Sequence, residues 1–268
     1  MGVLNLTPDS FSDGGLYDRP DAALDRARRL IAEGADIIDI GGESTRPGAA
    51  SVSADIEIAR TVPVIARLRA ESAIAVSIDT MKPLVAEAAI AAGATLWNDV
   101  NALQAPGAID LAARLGCGVI LMHMRGDPAT MQAAPRYGDV AAEVCDFLLA
   151  RARAAEAGGV ARSKIWLDPG IGFGKTLAHN LALLAALPRL VALGYPVLLG
   201  ASRKSFLGAI DLTAARPAAR LPGSLATALW GAEAGVSALR VHDVGETVQA
   251  LKVWEAIAMS GQKPGLGR

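Results

Sequence analysis

Several features are scarce in this chain. Only two cysteines occur, Cys117 and Cys145. Both sit among apolar residues without metal-ligand spacing, so they read as buried thiols in a reducing cytosol and not as a disulfide framework. The three histidines, His123, His179 and His242, are too scattered for a zinc hydrolase, and no His-x-His closes the first apolar run. Charge of either sign is not in excess: the net charge is −1, which leaves no footprint for nucleic acid or an anionic membrane. No uncharged run reaches the ~18 residues that a bilayer span needs. No signal peptide is recognisable, so a cytoplasmic protein without membrane partners is expected. Nor is there a Pro/Ser-rich linker or low-complexity run, so residues 1–268 read as one domain. Aromatics are 4% of the residues against 52% hydrophobic, and the core must therefore be aliphatic, as helix-on-sheet packing favours.

Three motifs that suggest themselves fail. Gly170-Ile-Gly-Phe-Gly-Lys-Thr176 looks like a phosphate loop, but Pro169 stands where that loop needs its first glycine. The same stretch misses the dinucleotide fingerprint because its third glycine is out of place. No Gly-x-Ser-x-Gly elbow is present.

What the chain does have is one repeated pattern: an amphipathic helix, a glycine, then a short apolar strand ending in a polar residue. Ala23, Leu24, Ala27, Leu30 and Ile31 form one helical stripe, and Gly34 stops that helix before the strand Asp36–Ile40. The same punctuation recurs at Gly93, Gly116, Gly194 and Gly235, before apolar runs at 94–98, 119–122, 196–199 and 238–241. Runs at 2–5, 74–79 and 164–167 bring the expected strands to eight, with a last helix near 245–258. Alternating strands and helices predict a parallel sheet, and eight units predict a (β/α)8 TIM barrel, with an open doubly wound sheet as the other arrangement. In a barrel the polar strand ends, Asn5, Asp39, Asp79, Asn98, His123, Asp168, Arg203 and Arg240 to His242, share the rim that carries active sites.

At those strand ends the sequence resembles the dihydropteroate synthases. The resemblance is carried by Met1-Gly-Val-Leu-Asn-Leu-Thr-Pro-Asp-Ser-Phe-Ser-Asp-Gly-Gly15, Gly34-Ala-Asp-Ile-Ile-Asp-Ile-Gly-Gly-Glu-Ser-Thr-Arg-Pro-Gly48, Ser77-Ile-Asp-Thr80 and Asn98-Asp-Val100. It continues through Met122-His-Met-Arg-Gly126, Leu167-Asp-Pro-Gly-Ile-Gly-Phe-Gly-Lys-Thr176, Gly200-Ala-Ser-Arg-Lys-Ser205 and Arg240-Val-His-Asp-Val244. These segments stand in family order from one end of the chain to the other. Two departures are visible: the first strand is short, and Asn101-Ala102 replace the Ser-Gly common after Asn-Asp-Val.

The resemblance implies condensation of (7,8-dihydropterin-6-yl)methyl diphosphate with p-aminobenzoate. The chemistry of the residues suits that pair. A pterin presents a guanidine-like edge of buried donors, which needs acceptors. Asp168 is the expected partner, with Asp79 and Asn98 completing the set, Lys204 meeting the ring carbonyl, and Met122 and Arg240 packing on the ring. Arg240 and His242 lie two apart on a strand and point the same way. They are expected to form a cationic site for diphosphate with Asn5, which also offers an oxygen to Mg2+. Phe11, Thr45, Pro47, Phe173, Lys204 and Ser205 correspond to the p-aminobenzoate pocket of the family. Asp13 and Arg46 correspond to loop residues that engage pyrophosphate and the metal. Catalytic roles thus fall to Arg240, His242, Lys204, Arg46 and Asp13. The family also suggests a homodimer. Two other readings remain, a methyltetrahydrofolate:corrinoid methyltransferase-like barrel and a pterin-binding paralogue without activity. Neither needs both the diphosphate residues and the Ser202-Arg-Lys-Ser205 segment.

Overall fold

The computed structural model describes residues 1–7, 19–44, 51–127 and 130–261. Eight strands alternate with helices: β1 (Gly2–Asn5), α1 (Arg19–Ala32), β2 (Ile37–Gly41), α2 (Ala54–Glu71), β3 (Ala75–Asp79), α3 (Pro83–Ala91), β4 (Leu96–Asp99), α4 (Ala108–Leu115) and β5 (Gly118–Met122). The chain continues with α5 (Val140–Ala157), β6 (Ile165–Asp168), α6 (Leu177–Ala185), α7 (Leu187–Val191), β7 (Leu198–Leu199), α8 (Ser205–Ile210), α9 (Leu221–Glu233), β8 (Ala238–Leu239) and α10 (Val244–Gly261). Several helices begin where the sequence supplies a cap or a proline. Ser53 accepts from the Ile56 amide, Asp139 from that of Ala142, and Pro83 opens α3. The glycines expected to punctuate the repeats, at 34, 93, 116, 194 and 235, all have positive φ.

β1 to β6 run parallel in chain order as one ribbon, and β7 pairs with β8 as a second. Two seams join the ribbons into a ring. Leu167 bridges Val197, and Gly2 bridges Val241. The second seam is sewn by Val3 N–H to the Val241 carbonyl and Val241 N–H to the Met1 carbonyl, each at 3.0 Å. The structure is a TIM barrel. β7 and β8 are each two residues long, shorter than the runs at 196–199 and 238–241, because pairing beyond them narrows to these bridges.

Alternation along the strands separates two cores. On β5, Ile120 joins Met1 and Leu198 in a small cluster among the strands, backed by Ile37, Leu96, Trp166 and Ala238. Its neighbours Val119 and Leu121 belong instead to the large cluster under the helices, with Leu24, Leu30, Ile65, Leu68 and Trp97. Burying such aliphatic side chains is worth about 1.5–3 kcal/mol each, which fixes strand register and therefore the placement of every rim residue.

Candidate active site

Strand register brings the expected residues to one level. Asn5 pairs with Gly41, Gly41 with Asp79, and Asp79 with Asn98; farther round, Met122 pairs with Asp168. Above them opens a cavity of about 490 Å3, lined by Asn5, Asp79, Phe173, Lys204, Ser205, Arg240 and His242 among others. Asn98, Asp168 and Met122 lie at strand ends of the same rim and are buried, each 4% exposed or less. Phe11, Asp13, Thr45, Arg46 and Pro47 lie outside the described residues.

Asp168 is buried, and one carboxylate oxygen accepts the Gly170 amide at 2.7 Å. Burial raises its pKa, against the pull of Lys204 and the Gly170 amide. Lys204 reaches in from the start of α8. Its ammonium donates to the Ile171 carbonyl and stands 4.7 Å from the centroid of the Phe173 ring. Burial brings this amine down to about 8, although Asp168 favours its charge. His242 is anchored through Ser202, whose Oγ lies 3.1 Å from its Nδ1 and accepts its amide at 3.2 Å.

Arg240 and His242 both border the cavity, and Arg240 is engaged by carboxylates of two other strands. Arg240 donates from Nε to Asp39 at 2.6 Å and from Nη2 to Asp79 at 2.7 Å. Asp39 is fully buried and also receives the Asn98 amide, at 3.3 and 3.5 Å. Two carboxylates thus share one guanidinium. Burial opposes the charge of Arg240, but Asp39 and Asp79 outweigh it and hold its pKa above the ordinary value. Burial pushes Asp79 up to about 7; Arg240 works the other way, and Asp39 adds to the rise. The other Asp79 oxygen, Oδ1, is buried without a hydrogen-bond partner.

Three contributors were not singled out for the site from sequence. Asp39 was noted only as a strand end. Lys175, inside the false phosphate loop, is 3% exposed. Its ammonium is 2.9 Å from both the Gly170 and Phe173 carbonyls, 3.2 Å from that of His123, and 3.0 Å from His123 Nδ1. It ties the Asp168–Phe173 loop down, with its ammonium held by protein groups. Burial, then Lys204, lowers its pKa to about 7, and burial with Lys175 nearby lowers His123 to about 3. Glu43, on the cavity wall, pairs with Lys82 at 2.8 Å and accepts the Val52 amide at 2.8 Å. His179 serves α6 as part of a capping box with Thr176.

Among the described residues no three His, Cys, Asp or Glu side chains converge on a metal site. Asn5 offers one neutral oxygen at the cavity wall. That donor set suits Mg2+, which keeps waters and is held by one or two protein oxygens plus substrate phosphates.

Comparison with known proteins agrees with this geometry. The model of the pterin binding enzyme family matches residues 1–242. The dihydropteroate synthase of Neisseria meningitidis serogroup C is 49% identical over 264 residues, covering 97% of this chain and 93% of its own. The Xanthomonas albilineans dihydropteroate synthase solved with 4-aminobenzoic acid superposes with a TM-score of 0.91 at 51% identity, over 98% of this chain and 93% of that one. The same organism's enzyme in complex with 7,8-dihydropteroate gives 0.87 at 48% identity, over 98% and 94%. With buried acceptors at the strand ends of the rim, a lysine and a phenylalanine on the cavity wall, and half the residues shared over nearly the whole length, the chain belongs to the dihydropteroate synthases of the pterin-binding enzyme family.

Proposed function

We propose that the rim cavity joins (7,8-dihydropterin-6-yl)methyl diphosphate to p-aminobenzoate, giving 7,8-dihydropteroate and pyrophosphate in folate biosynthesis. The observation that carries this reading is the set of buried acceptors at the strand ends of the rim. Asp168 is the register partner of Met122, Asn98 that of Asp79, and Asp79 keeps one buried oxygen without a partner. A buried acceptor in that state costs about 1–3 kcal/mol, which the ring N–H and amino donors of a pterin offset. Lys204 then meets the ring carbonyl, and Phe173 and Ser205 take the arylamine.

In the chemical step the bond between the pterin methylene and the diphosphate oxygen breaks. The electron-rich dihydropterin spreads the positive charge left behind. The neutral amine of p-aminobenzoate forms the new C–N bond and releases a proton to diphosphate or water, so no covalent nucleophile is needed. His242 and Arg240 face the departing diphosphate, the charge whose stabilisation weighs most in such sites. Asn5 would hold Mg2+ together with the diphosphate, and when bound the ion neutralises leaving-group charge. Asp13 and Arg46 are assigned to the same end, and Phe11, Thr45 and Pro47 to the arylamine.

Pyrophosphate release measured with both substrates, and with p-aminobenzoate omitted, tests the reading. Release that depends on p-aminobenzoate and is competed by a sulfonamide is expected; release indifferent to the arylamine would refute it. The reading includes a cytosolic homodimer. Among the described residues no helix is long and apolar enough to cross a membrane. Trp230, Val253 and Ile257 on α9 and α10 are more than half exposed and offer an apolar face for a second copy. Sedimentation equilibrium tests the dimer.

A further inference from the structure

The turn Ser202–Ser205 joins β7 to α8 and carries Lys204 and Ser205 to the cavity wall. Its backbone is strained. Arg203 has φ +58, and among the described non-glycine residues only Ala102 and Leu103 share that left-handed conformation, in which a side chain crowds the following carbonyl. Such a conformation persists only when its surroundings impose it. Three groups do so here. Ser224 Oγ accepts the Arg203 amide at 2.9 Å. Arg220 Nη1 donates to the Arg203 carbonyl at 2.9 Å. The Arg203 guanidinium pairs with Asp243 beside His242, Nε to Oδ2 at 2.9 Å. Ser224 Oγ also donates to the Arg220 carbonyl at 2.8 Å, so both of its hydrogen-bonding roles are filled. Arg220 is fixed in turn by the carbonyls of Ala214, at 3.0 Å, and Ala215.

We propose that Ser224, together with Arg220, is a positioning residue for the arylamine half of the reaction. By holding Arg203 left-handed, it sets the direction in which Ser205 leaves the turn as the first residue of α8. Lys204 has a second anchor at the Ile171 carbonyl, so loss of the clamp falls mainly on the p-aminobenzoate side. Ser224 itself is 5% exposed and buried behind the turn. The inference rests on the reading of the cavity given above.

Steady-state kinetics of Ser224→Ala and Ser224→Thr test it. Ser224→Ala is expected to raise the KM for p-aminobenzoate about tenfold, the worth of one well-placed hydrogen bond. Saturated kcat and the KM for the pterin diphosphate should stay within about twofold. Ser224→Thr keeps the hydroxyl and should return the p-aminobenzoate KM to the wild-type value. Both KM values rising together, or a lowered melting temperature with unchanged KM, would overturn the positioning role. If the wild-type protein shows no p-aminobenzoate-dependent release of pyrophosphate, the reading of the cavity fails instead.

Discussion

At the scale of single residues, the carboxylates at the strand ends of the rim divide their work by partner. Asp168 has one oxygen on the Gly170 amide, and an asparagine in its place can still accept that bond. Asp168→Asn should therefore leave the loop folded while removing the charged acceptor, weakening pterin binding roughly 10–100-fold on the worth of a charged hydrogen bond. Calorimetric titration with a pterin checks this, and unchanged affinity would remove Asp168 from the ring site. His123 makes a different prediction, about stability. Its folded pKa is about 3 against an ordinary 6.5, so below pH 6.5 the unfolded chain takes up a proton that the native protein refuses. Stability is lost as pH falls through this window, by about 2 kcal/mol at pH 5. Urea unfolding of wild type and His123→Gln at pH 7 and pH 5 isolates the effect, because the other titrating groups are common to both. Sequence reading reached Asp168 and Lys204 because their types match the chemistry of a pterin. It did not place Asp39 or Lys175 at the site: each acts through another protein group, Arg240 or a loop carbonyl, and nothing in their neighbours along the chain announces that partner.

At the scale of elements, the repeat of helix, glycine and strand was legible because each unit carries its own stop signal and its own apolar stripe. Strand lengths were not. The run at 238–241 reads as one strand, yet only Ala238 and Leu239 form a regular ladder, with Val241 reaching β1 through a bridge. Pairing partners decide such ends, and they are distant in sequence. In the loop after β4, where Asn101-Ala102 stand in place of Ser-Gly, Ala102 adopts φ +53, with its carbonyl held by Arg151 at 2.8 Å. The loop after β6 leaves no such freedom. Gly170 has φ +66, and a Cβ there would lie 1.9 Å from the His123 carbonyl oxygen. Gly170→Ala is expected to destabilise the protein by at least about 3 kcal/mol, since backbone and not a pliable side chain blocks the space. Thermal unfolding measures it, and a melting temperature equal to wild type would contradict the close approach of Gly170 to the His123 carbonyl.

At the scale of the whole molecule, Arg240 links three strands. It stands beyond β8, and its guanidinium spans Asp39 on β2 and Asp79 on β3. Removing it leaves a buried carboxylate, Asp39, and a largely buried one, Asp79, without their cation. Arg240→Ala should therefore cost about 3–5 kcal/mol of stability in addition to any loss of rate, with denaturant unfolding as the measure. If stability is unaltered, the ion pairs contribute little and the side chain serves the substrate alone.

The hydrogen bonds between Val3 and Val241 also set a timetable for biosynthesis. On the ribosome β1 emerges ahead of the other strands and acquires β2 as a neighbour, yet its other edge stays open until residue 241 has been translated. Joining partners so far apart in sequence is slow for entropic reasons, and an open strand edge is prone to stray pairing. Nascent chains arrested before residue 241 should thus remain protease-sensitive along β1, and release of the last strand is the event that seals the protein.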